Sequence, residues 1–261
     1  MDWILNLPIV WMGLVILVAC YATAAIVYLV VMRLAVGERI RAFKAISPGM
    51  LPPLAIVFAL LVGFLAAQVW SESDRASTAV NREASALRAA VLLSEQFPGE
   101  PQRRLDELIR QHITTAVTNE WPAMWRRGAT LTLVPGPLAE ALRAALSLEP
   151  RTAGQTLAQR ELVLAIQNAL DARRQRIVLS GSSVNAVKWG ALLVQAGLIM
   201  LTIAMVHCDN PVGNRIILGI FATGAAAAVL LIAAHSRPFS GAIAVRPTLL
   251  LQVMPEGVGR Q

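Results

Sequence analysis

Residues 52–94 read PPLAIVFALLVGFLAAQVWSESDRASTAVNREASALRAAVLLS. The stretch begins with the pair Pro52-Pro53, runs uncharged to Ser71, and then turns polar with no Pro or Gly to interrupt it. Proline is tolerated in the first turn of a helix and breaks its interior, so one helix is expected to start at the proline pair and run on through Ser94. Its first half is apolar enough for lipid and its second half is amphipathic, so a single helix is expected to leave a membrane and project into water.

Three other segments repeat the apolar half of that pattern. Windows free of Asp, Glu, Lys and Arg cover residues 3–32, 45–71, 189–206 and 216–234. At about 1.5 Å per residue each is long enough, or nearly so, to cross about 30 Å of hydrocarbon. The first begins with Asp2 rather than a basic region, and its apolar part is about twice the length of a signal core, so it is read as a retained membrane helix. The whole chain of 261 residues is 56% hydrophobic and 15% charged, which excludes a single water-soluble core.

Residues 72–183 differ sharply. They are charged and rich in Ala and Leu, with strong helix formers throughout. Between the break at 97–101 and Asn119, apolar residues recur at Leu105, Leu108, Ile109, His112, Ile113 and Ala116, the spacing of an amphipathic helix. The Glu120-Trp121-Pro122 triplet is expected to end that helix. Pro135-Gly136-Pro137 is expected to open another, and residues 152–178 a further one with the stripe Leu157, Leu162, Ala165, Ile166, Ala169 and Leu170. The run Ser180-Gly181-Ser182-Ser183 is expected to cap the third span.

The expected architecture is therefore all-α. Two spans (1–71) precede a soluble helical insert (72–183), two more spans follow (184–235), and residues 236–261 form an interfacial C-terminal segment. In that last segment Arg237 and Phe239 are read as membrane-surface anchors, with Gly241 turning the chain into a short strand or interfacial stretch over 242–245. Gly63 with Ala67, Gly190 with Gly197, and Gly219 with Thr223 and Ala227 are expected to let helices approach closely.

Charge excludes other classes of partner. The net charge is +7, yet the insert holds 14 Arg against 12 Asp plus Glu, so most of the excess lies in membrane flanks. No zinc spacing, aromatic nucleic-acid motif or basic zipper accompanies it, so no nucleic-acid partner is expected. His112, His207 and His235 are scattered, Cys20 and Cys208 suit neither a disulfide framework nor a zinc site, and Glu72, Asp74, Asp209 and Glu256 form no calcium loop. No metal, cofactor or catalytic residue is expected, and His112 is read as a packed helix residue. No ionisable group lies inside the uncharged windows, which argues against a proton-coupled carrier and leaves passive conduction open.

On the second span Pro53, Val57, Leu61, Phe64 and Gln68 recur at about one-turn spacing, and Trp70 sits where indole rings settle at an interface. That stripe either packs against neighbouring spans or, in several copies around an axis, lines a pore with a polar exit at Gln68. Glu83 either lines a vestibule or pairs with the insert. Asp171, Arg173, Arg174 and Arg176 form a salt-bridged or solvated face, or contact anions or lipid headgroups.

Residues 64–87 (FLAAQVWSESDRASTAVNREASAL), Glu120-Trp121-Pro122, Asp171-Ala172-Arg173-Arg174-Gln175-Arg176 and Arg237-Pro238-Phe239-Ser240-Gly241 together resemble the bestrophin-like family of bacterial membrane proteins. The resemblance covers nearly the whole chain and extends to true bestrophins, pentameric anion channels with a second-span neck and a large cytosolic helical part. It implies a homo-oligomer, pentameric, in the bacterial inner membrane, with inorganic anions and the lipid bilayer as partners. Pro53, Val57, Leu61, Phe64 and Gln68 would line the pore and Arg75 and Arg82 its vestibule. It also implies a cytoplasmic insert, although the short loops carrying Arg33, Arg39, Arg41, Lys44 and Arg215 favour the opposite orientation. The chain departs from bestrophins in lacking their Gly-Phe-Tyr neck run and in having the single Trp70 where they have a pair. The alternative is a non-conducting scaffold or sensor whose insert binds a partner.

Overall fold

The computed structural model describes residues 7–46, 48–126, 128–129, 131, 136–241 and 243–255, and every regular element among them is helical. In chain order these are α1 (Ile9–Leu34), α2 (Glu38–Lys44), α3 (Leu51–Ser94), α4 (Glu100–Thr115), α5 (Trp121–Trp125), α6 (Gly136–Leu146), α7 (Ala153–Ser180), α8 (Ala186–Val206), α9 (Pro211–His235) and α10 (Thr248–Gln252). A 3₁₀ turn at Pro48–Met50 leads into α3, and a π turn at Ala116–Glu120 joins α4 to α5. Of the expected features, residues 3–6 of the first window, Pro135, Ala242 and Glu256 lie outside the described residues.

The chain forms two compact units. One comprises Met1–Ser71, Ser183–Arg237 and Gly241–Ile243, and the other Glu72–Ser182, Pro238–Ser240 and Ala244–Gln261. Helix α3 contributes to both.

In the first unit, α1, α8, α9 and the apolar half of α3 are each long and apolar enough to cross a membrane. Helices α8 and α9 begin a few residues ahead of the uncharged windows, because Lys188 and Arg215 sit in their first turns. Asn185 caps α8 by accepting from the Val187 N–H, and Asn210 caps α9 by accepting from Gly213. The serine run therefore does not cap the third span. Instead Ser180 and Ser182 donate back to the carbonyls of Ile177 and Leu179, closing the last turn of α7.

Helix α9 lies against α1. Met12 and Ile16 meet Ala226 and Ala233, and further along Ala24 and Val31 share a cluster with Leu218 and Ala222. A Cβ at Gly13 would sit 3.3 Å from the Leu230 side chain, so the helices approach closely here. The Tyr21 hydroxyl and Thr223 Oγ1 share a hydrogen bond of 2.8 Å. The small residues that bring these helices together are thus Gly13, Ala24, Ala222 and Ala226. Gly63, Gly190 and Gly197 have nothing within 4 Å of a built Cβ, so those expected close-approach faces are open in the single chain. They carry too little side chain to reach a neighbour that is not already there.

The second unit has an aqueous-type core. Val80, Leu87, Leu105, Ile109, Ile113, Met124, Leu138, Leu162, Ile166, Ile177 and Leu250 are essentially removed from solvent, each worth about 1.5–3 kcal/mol of transfer free energy. Gly99, at φ +98°, turns the chain from α3 into α4, and the expected α4 stripe is buried throughout. Thr152 caps α7 by accepting from the Gln155 N–H.

Three expectations are corrected here. The Glu120-Trp121-Pro122 triplet does not end the helical path. The π turn adds a residue just before it, and Pro122 falls in the first turn of α5, where a missing N–H is not needed. Leu157 is exposed, because it lies five residues, about 140° around the helix, from Leu162. Phe239 is no membrane anchor: it is 3% exposed, edge-on to Trp121 at 6.0 Å, while Trp121 Nε1 donates to the Val245 carbonyl. Arg237 is buried as well, and residues 243–245 form no strand.

Candidate functional site

Two features of α3 concern function, and they lie on different faces of it. At about 100° per residue, Pro53, Val57, Leu60, Phe64 and Ser71 fall within one narrow arc, and all are exposed. Val57, Leu60 and Phe64 are 47%, 54% and 72% exposed. The same arc continues past the apolar segment into Arg75 and Arg82, both exposed, with Thr78 half-buried between them. The chain thus leaves unpartnered one face of one helix that is apolar first and basic afterwards.

The expected stripe maps onto this face in part. Pro53, Val57 and Phe64 lie on it. Leu61 does not: it is half-buried against Leu65, Val69, Leu192 and Ile232. Gln68 is also turned aside, and its Oε1 accepts from Lys188 Nζ. The two four-residue steps from Pro53 to Leu61 advance about 800°, which is about 80° past two full turns. Leu60 lies on the arc between Val57 and Phe64.

About 100° around the helix from Arg82, α3 carries Glu83, fully buried. Its carboxylate accepts from Arg176 Nε at 2.7 Å and Nη2 at 3.1 Å, and bonds His112 Nε2 at 2.9 Å. Arg176 Nη2 also donates to Glu120 Oε2 at 2.8 Å, and Arg173 Nε donates to Glu120 Oε1 at 2.8 Å. The Arg176 guanidinium lies over the Trp121 ring, 4.6 Å from its centroid. Four elements converge there: α3 supplies Glu83, α4 His112, the π turn Glu120, and α7 both arginines. Two buried guanidiniums face two buried carboxylates, so the paired charge cancels within the cluster, as burial demands.

These contacts decide the readings of Glu83, Arg173 and Arg176. Glu83 pairs with the insert, Arg173 and Arg176 are salt-bridged, and Asp171 with Arg174 forms an exposed pair at 3.6 Å. His112 is packed, and hydrogen-bonded as well. A signal for the network is visible in the pattern: Ala76, Val80, Glu83, Leu87 and Ala90 share one buried stripe on α3, as do Leu162, Ile166, Ala169, Arg173 and Arg176 on α7. A charge in the middle of a core stripe needs a partner in the core.

Burial alone would raise the Glu83 carboxyl, but the charge of Arg176 and hydrogen bonds from His112 and Arg176 override it and hold it at about 2. A depressed carboxyl stabilises the fold above its unfolded value, near 4.5, and loses that contribution as pH falls through the folded one. The shift corresponds to about 3 kcal/mol. The stability difference between the native chain and Glu83→Gln is therefore expected to be constant from pH 7 to about 5 and to shrink steadily below 4.5. Thermal unfolding of the full chain in detergent across that range measures it, and a difference unchanged down to pH 3 would refute the assignment.

Among the described residues no group of three or more His, Cys, Asp and Glu side chains is arranged to hold a metal. The four apolar helices and the helical second unit define a multi-span, all-α membrane protein. The model of the bestrophin-like domain matches residues 18–250, and the chain belongs to the bestrophin-like family. None of the curated proteins matches it. Among solved structures it is similar to a bacterial bestrophin homologue from Klebsiella pneumoniae, with a TM-score of 0.66 at 13% identity, covering 92% of this chain and 95% of that one. A point variant of the same homologue gives a TM-score of 0.68 at 11% identity, covering 91% and 96%. A structure described as a membrane protein gives 0.71 at 14% identity, covering 93% and 96%. At these identities the likeness is one of fold.

Proposed function

We propose that the chain is a subunit of a homo-oligomeric channel of the bacterial inner membrane that passes inorganic anions, and that it is not an enzyme. The open face of α3 carries the reading. Repeated around an axis, Pro53, Val57, Leu60 and Phe64 form an apolar neck, and Arg75 and Arg82 line a basic vestibule beyond it. An apolar constriction gates by dewetting and needs no ionisable group within the membrane, while cationic rings favour anions. The open small residues Gly63 and Ala67 flank the same face and leave room for a neighbouring copy. Membership of the bestrophin-like family supports a pentamer with the helical unit in the cytoplasm, a bacterial bestrophin being among the similar folds.

Two measurements on the purified full chain test the reading: its copy number in detergent by native mass, and chloride flux after reconstitution into liposomes. A closed ring of several copies with flux above empty vesicles is expected. A monomer or dimer, or a ring without flux, would overturn the channel and leave the scaffold or sensor in its place.

A further inference from the structure

Between α3 and α7, within the helical unit, runs a groove of about 390 Å³ lined by Arg75, Thr78 and Arg82 on one side and Arg174 and Gln175 on the other. A second cavity of about 690 Å³ shares Thr78, Arg82 and Gln175 with it and continues past Asp171. Arg75 and Arg82 are two helical turns, about 10 Å, apart on one face of α3, and Arg174 approaches from the other helix. Neither Arg75 nor Arg82 forms an ion pair among the described residues, and Arg174 has only Asp171, at 3.6 Å with both side chains about two-thirds exposed. An ion pair so exposed is worth little. The unit's two buried arginines are, by contrast, matched to carboxylates. Three guanidiniums thus line one groove with a single, exposed carboxylate, Asp171, set against them.

We infer that this groove is a binding site for tetrahedral oxyanions of the phosphate and sulfate class. A guanidinium presents two parallel N–H donors that match two oxygens of one such anion, a geometry that a spherical halide cannot use. The inference rests on the channel reading only in placing the site along the conduction path, where it makes oxyanions the class that loads the vestibule. Binding itself is independent of flux.

Calorimetric titration of the full-length protein in detergent with inorganic phosphate, and separately with chloride, tests it. Saturable phosphate binding at least tenfold tighter than chloride is expected. Arg82→Ala and Arg174→Ala should each weaken it by about tenfold, the scale of one charge-assisted contact. Arg88→Ala removes the same charge from an exposed position of α3 outside the groove and should leave binding unchanged. Equal loss in Arg88→Ala, no preference for phosphate, or no saturable binding would overturn the site. If binding behaves as expected while no variant conducts, the channel falls and the site stands; flux without phosphate binding leaves the channel standing and removes the site.

Discussion

Arg176→Ala is expected to lower the stability of the folded chain by about 3–5 kcal/mol, the cost of breaking a buried ion pair by removing one partner. The side chain is fully buried and touches both Glu83 and Glu120, so its loss leaves two carboxylates facing the one guanidinium of Arg173, strips Glu83 of its counter-charge, and opens a void beside Trp121. Because the guanidinium lies on the indole, tryptophan fluorescence during thermal unfolding in detergent reads the change directly. The charge account makes a second demand. Glu83→Gln added to Arg176→Met removes the one carboxylate left in excess while keeping volume and the Glu120–Arg173 pair, and should recover a large part of the loss. If this double variant is no more stable than Arg176→Ala, the damage comes from packing alone and the network does not act through charge.

The second large effect belongs to the proposed neck. Leu60→Ala combined with Phe64→Ala should raise anion flux in liposomes several-fold, since the two largest exposed side chains in the middle of the face are removed from every copy at once. Leu61→Ala is the control. Leu61 packs against the cluster that Leu65, Val69, Leu192 and Ile232 belong to, so its truncation should cost stability, about 2 kcal/mol for a half-buried leucine, without widening the path. Flux that rises in Leu61→Ala but not in the double variant would mean that another face of α3, or another helix, forms the constriction.

Most of the architecture was legible because it is written in local patterns. Uncharged windows locate spans, Pro52-Pro53 and the unbroken polar continuation define α3, and the spacing from Leu105 to Ala116 gives the buried side of α4. What was hidden depends on partners far away in sequence. Glu83 meets Arg176 across 93 positions, and nothing near either residue announces the pairing. Arg237 and Phe239 look like surface anchors only as long as Trp121 is not known to be waiting for the phenyl ring. Leu61 lies about 80° around the helix from Pro53, and Gln68 is engaged by Lys188, 120 positions away, which no local spacing shows. The stripes on α3 and α7 place these charges in the core, and only the fold brings the two stripes face to face.

The π turn at Ala116–Glu120 has a consequence for how this protein tolerates change. It holds one residue more than α-helical winding would, and everything from Trp121 onward is phased by that surplus. Substitutions along the turn alter one side chain each. A single-residue deletion would instead let the backbone relax to ordinary winding and rotate the following segment by about 100°, carrying the Trp121 indole away from Arg176 and Phe239 together. In this stretch the length of the chain is as tightly constrained as its composition.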